Sequence, residues 1–163
     1  MSDLTGLVPE REAFEAVARI LLGMMVEGDE RIEYNASVTD PVSRSDVKAF
    51  NPNGEFEEAE GRVNGPDEPD ELFGALEALR LACYRPGAGT WFSIRVVVQA
   101  AGAATVEYNY DNEADFGMGG IDPVGYVVDE EKFPRDEDKQ PEWLKLRLAE
   151  GRALLAERGQ SQP

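Results

Sequence analysis

The chain contains no histidine and only one cysteine, Cys83, in 163 residues. Without histidine the usual general base near neutral pH and the commonest metal ligand are both missing, so a Ser/His/Asp set cannot be built. A single cysteine excludes an internal disulfide and any multi-cysteine zinc site. Cys83 also falls in an apolar helical pattern, the setting of a buried, inert thiol. Long apolar runs are lacking too, so no membrane span is predicted. The first residues, MSDLTGLVPERE, show neither a basic n-region nor an apolar h-region. No signal peptide is expected on that ground, and the chain is expected in the cytoplasm. Positive charge is equally scarce. Sixteen Lys and Arg stand against thirty-three Asp and Glu, a net charge of −17. Nucleic acid and anionic membranes reward basic patches, so direct binding to either is not expected. Self-repulsion of this size favours a soluble monomer or weak dimer and a basic partner.

What is present suffices for one core. Hydrophobic residues make up 42% of the chain, which fits a single domain over residues 1–158 with a frayed tail at 159–163. From Pro9 to Val26, Phe14, Val17, Leu21 and Met24 fall on one stripe of an amphipathic helix. Glu30 to Thr39 alternates in period two and Ser45 to Phe50 returns after Asp40-Pro41, which makes a hairpin. Glu55 to Val63 reads equally as a third, edge strand or as loop. A second helix carries Leu72, Leu76, Leu79 and Cys83 on one face, with Phe73 alongside, and Pro86-Gly87-Ala88-Gly89 ends it. Thr90 to Gln99 and Thr105 to Asp111 form a second hairpin around Ala101-Gly102. Tyr126 to Phe133 reads as a short extended piece or a turn of helix. A last helix from Glu142 to about Glu157 places Leu144, Leu148 and Leu155 on one side. The expected fold is α+β, an antiparallel sheet of four to five strands built from hairpins and covered by two to three helices.

Enzyme motifs are missing. The glycines of Gly117-Met118-Gly119-Gly120 match neither a P-loop nor a dinucleotide fingerprint. The acidic run from Asp111 to Asp115 resembles a calcium loop until the twelve positions are counted. Phe116 then stands where glycine is required and Asp122 where glutamate is. No cofactor, metal or catalytic residue is assigned, and a carboxylate-only enzyme ranks last among the readings.

The segment that stands out is Tyr108-Asn109-Tyr110-Asp111, continuing through Glu113, Asp115 and Phe116 to Met118, Gly119 and Gly120. Its plain reading is a strand with a core-facing tyrosine, followed by a solvated loop. Its functional reading is a partner-binding edge, in which aromatic groups supply contact area and carboxylates steer a basic partner. Trp91, on the polar register of its strand, joins this set as a residue either covered by another element or available to a partner.

Four motifs together carry a family resemblance: Pro86-Gly87-Ala88-Gly89-Thr90-Trp91-Phe92, Val106-Glu107-Tyr108-Asn109-Tyr110-Asp111, Phe133-Pro134-Arg135 and Pro141-Glu142-Trp143-Leu144. In these, and in element order from the first helix to Trp143, the chain resembles the YezG-like immunity proteins of bacterial polymorphic-toxin systems. The resemblance implies a small cytoplasmic antitoxin that neutralises a cognate toxin, often a nuclease or an NAD-degrading enzyme, by occluding its active site. The competing expectation is a non-catalytic acidic chaperone or adaptor for a basic effector.

Overall fold

Six strands are seen in a computed structural model that describes residues 4–160. They are β1 (Arg31–Thr39), β2 (Val42–Phe50), β3 (Phe56–Glu58), β4 (Gly61–Asn64), β5 (Ser93–Gln99) and β6 (Ala104–Asn109). One antiparallel sheet results, in the order β3-β4-β2-β1-β5-β6. Four helices are described: α1 (Leu7–Gly23), α2 (Asp70–Ala82), α3 (Val124–Lys132) and α4 (Glu142–Gln160). The α+β expectation holds, with more strands and helices than the sequence suggested. The extra strand arises because Glu55 to Val63 reverses on itself. A turn at Ala59-Glu60, followed by Gly61 at a φ of 126°, pairs Phe56 with Val63 and Glu57 with Arg62. The extra helix is α3. There the Asp122 carboxylate accepts the Val124 N–H at 2.9 Å and so satisfies an open helix-start donor, while Tyr126 and Val127 are buried. None of the described helices is long and apolar enough to cross a membrane.

The chain divides into two compact units, each described by itself. The first comprises Met1–Ala36, Ser45–Cys83 and Ile94–Tyr108. Its interior takes Val17 and Leu21 from α1, Leu72, Leu76 and Leu79 from α2, and the even-numbered row of Ile32, Tyr34, Ile94, Val96 and Val98 from the strands. The Gly6 N–H donates to the Ala82 carbonyl, so the start of α1 lies beside the end of α2. Cys83 is fully buried. Phe73 departs from expectation: it sits 48% exposed on the outer side of α2.

The second unit comprises Ser37–Arg44, Tyr84–Ser93 and Asn109–Pro163. Its core is Phe92, Ala114, Phe116, Tyr126, Val127, Leu144 and Leu148, with Trp143 and Ile121 packed against it. Trp143 stands edge-on to Phe92 and Tyr126, with centroids 5.1 and 5.7 Å away, the geometry aromatic quadrupoles prefer. Asp40 ties the β1–β2 turn to α3: its N–H donates to Asp129 and its carboxylate accepts from Lys132, both at 2.7 Å. The buried row of α4 runs Leu144, Leu148, Gly151, and Leu155 lies 43% exposed instead of continuing it. Helix α4 also runs further than expected. Gly159 and Gln160 are helical, and the rest of the expected frayed tail lies outside the described residues.

At Gly151, α4 packs tightly against the start of α3. A Cβ there would lie 2.6 Å from the Pro123 carbonyl oxygen and 2.6 Å from a Val127 methyl. Gly151→Ala should therefore destabilise the protein by about 1–3 kcal/mol, although alanine favours a helix interior by about 1 kcal/mol. Gly159→Ala, where a Cβ meets nothing, should be neutral or stabilising. Urea unfolding of the two variants checks this, and equal stability would show that α3 yields at no cost.

Candidate partner-binding site

The loop from Asn109 to Asp122 holds most of the singled-out residues. Asn109 stops the strand, because its side chain exchanges hydrogen bonds with the N–H and carbonyl of Asn112, at 2.9 and 2.8 Å. The Asp111 carbonyl then accepts the Trp143 indole N–H at 2.7 Å. Glu113 receives Arg147 through both Nε and Nη2, at 2.8 and 2.6 Å. Arg147 also reaches Glu150, and these carboxylates raise its already high pKa. Ala114 and Phe116 enter the core, so alternate loop residues act as plugs.

Beyond Phe116 the backbone turns tightly. The Asp115 carboxylate accepts the Gly117 N–H at 2.8 Å, and the Gly120 N–H donates to the Gly117 carbonyl at 3.1 Å. Gly117, Gly119 and Gly120 have φ of 89°, 87° and 64°, a region where side chains are strained. The Arg44 guanidinium lies where a Gly117 side chain would be. At the tip, Met118 is fully exposed, while Ile121 is tucked back against the core. The loop is thus a defined turn fixed at both ends. Beneath it opens a cleft of about 400 Å³ lined by Glu113, Asp115, Gly119, Tyr126 and Arg147.

The structure divides the ten candidates. Asp111, Glu113, Asp115, Met118, Gly119 and Gly120 are exposed on this loop, and Tyr110 is half-buried at its root. Tyr108 belongs to the first unit and is half-buried on β6. Trp91 and Phe116 are corrections, being 0% and 9% exposed. Trp91 precedes β5, so strand alternation gives no guide to its direction; Phe116 follows the in-out rhythm of the loop and fills the core. Sequence reasoning did not find Arg147, Trp143 and Arg135 as braces. Their partners lie more than twenty residues away, and no local pattern announces them. Arg135 donates to the Thr90 carbonyl at 2.7 Å, stands 3.8 Å from Asp111, and stacks 4.6 Å over Phe92.

Among the described residues, no three acidic or cysteine side chains are grouped to hold a metal ion. The titration of interest is that of Tyr126. Burial, reinforced by the Glu113 charge, pushes its phenol from 10.0 up to about 12. A phenol raised in the folded state stabilises the fold below its unfolded pKa, and that contribution is lost as pH climbs from 10 towards 12. Tyr126→Phe should flatten the stability–pH curve in this window; an unchanged slope would place the alkaline loss elsewhere. Compared with known proteins, the chain matches no family model, and no curated protein sequence is similar to it.

Proposed function

We propose that this protein is an immunity protein, a stoichiometric inhibitor that covers the basic active-site cleft of one cognate toxin in the cytoplasm. The observation that supports this reading most is the Gly117–Gly120 turn, which holds one methionine wholly in water. Leaving such a side chain exposed forgoes burial worth roughly 1.5–3 kcal/mol, which becomes available when a partner's pocket covers it. The glycines need not be ordered on binding, because hydrogen bonds and fixed anchors hold the turn beforehand, and preorganisation lowers the entropic cost of association. Having no side chains, they also let the backbone enter a narrow cleft.

Charge supports the same reading. A toxin that acts on nucleic acid or a dinucleotide needs a positive cleft for phosphates. Exposed Asp111 and Asp115 on the loop, within a chain of net charge −17, attract such a cleft at long range and orient the encounter. The likeness to YezG-like immunity proteins supplies the toxin class, a nuclease or an NAD-degrading enzyme. In this reading the protein acts by association and turns over no substrate.

Co-expression with a toxin drawn from the gene's neighbourhood should restore growth of poisoned cells, and the purified pair should form a one-to-one complex. Met118→Asp should weaken that complex by roughly thirtyfold or more, the effect of losing an interface anchor. Its melting temperature should stay unchanged, since the side chain is fully exposed. Wild-type affinity in this variant would remove the loop from the interface. A tight complex with full toxin activity would replace inhibition with a carrier role.

A further inference from the structure

Charges of opposite sign alternate across the solvent face of the first unit's sheet. Lys48 of β2 meets Glu58 of β3 at 3.3 Å. Arg31 of β1 reaches Glu60 at 3.2 Å and Glu33 at 3.7 Å, and Arg95 of β5 bonds the same Glu33. The hairpin bond from the Gln99 N–H to the Ala103 carbonyl sets the register of β5 against β6. Counted outward from that bond along an antiparallel ladder, Thr105 lies opposite Val97 and Glu107 opposite Arg95. Glu107 is exposed, and no ion-pair partner meets it among the described residues. The alternation therefore ends on a carboxylate at the last strand of the sheet.

That last strand is an open edge. In this register Thr105 and Glu107 bond towards β5, so the main-chain N–H and carbonyl groups of Ala104 and Val106 point off the sheet. All six residues of β6 keep solvent access, and the strand contains no proline, lysine or arginine. The opposite edge, β3, is only three residues long and carries Glu57 and Glu58.

We infer that β6 accepts an added strand from a basic protein, an extended segment that sets a lysine or arginine beside Glu107 and so continues the alternation. Main-chain bonds at Ala104 and Val106 would give the affinity, and the cation would fix the register. A second copy of this chain is a poor occupant, because it brings another −17 charge and its own Glu107 to the same edge. This surface is independent of the Met118 loop, and either can fail without the other.

The probe is a labelled nine-residue peptide alternating lysine and valine, titrated onto the full chain. Saturable binding should protect the Val106 amide from hydrogen exchange. It should weaken roughly tenfold when alternate peptide amides are N-methylated, which keeps the charge but removes donors. Glu107→Lys should weaken it similarly, whereas Glu12→Lys, with the same change in net charge on an exposed face of α1, and Met118→Asp should leave it intact. Equal binding of the N-methylated peptide, equal losses from Glu107→Lys and Glu12→Lys, or protection mapped away from β6 would overturn the inference.

Discussion

The second unit depends on one buried cation. Arg135 is 6% exposed, and its guanidinium is held by the Thr90 carbonyl, the Phe92 ring and the neighbouring Asp111. A buried guanidinium is tolerated only when its donors are met, so its surroundings are constrained more tightly than an apolar core would be. The constraint reaches the backbone. Gly89, at a φ of 74°, lies so close to the Arg135 side chain that a Cβ there would collide with it. The Arg135 N–H meets the Glu130 carboxylate at the end of α3, and burial holds that carboxyl's pKa above its ordinary value. Gly89, Thr90, Phe92 and Asp111 converge on this one side chain. Much of Pro86–Phe92, Phe133–Arg135 and the Trp143 region is therefore scaffold and not surface.

The exposed loop inherits its order from that scaffold. Asp111 is fixed from one side by Trp143 and approached by Arg135 from another, and Glu113 is clamped by Arg147 two residues later. Phe116 and Ile121 then pin both ends of the glycine turn to the core. A segment whose composition suggests a floppy linker is held as a shaped projection. The glycines supply permitted conformations, and the aromatic plugs select one of them.

Local periodicity made much of the fold legible. Val17, Leu21, Leu72, Leu76, Leu79, Ile94, Val96 and Val98 are buried where their spacing placed them. The failures have physical causes. The Glu55–Val63 hairpin has a strand of only three residues, too short to show alternation, and α3 was obscured by β-branched Val124, Val127 and Val128. At the candidate site, the acidic loop and Met118 were readable from composition. The direction of Trp91 was not, because it lies outside any strand, and long-range braces such as Arg147 leave no trace in neighbouring residues.

The turn at Gly117–Gly120 also bears on how such a protein diverges. Three of its four positions have positive φ, where side chains are strained, and the residues flanking it are committed to the core. Position 118 alone can change its letter without disturbing the frame. A lineage meeting new partners could therefore retune this projection one side chain at a time, keeping the surrounding glycines as a fixed mount.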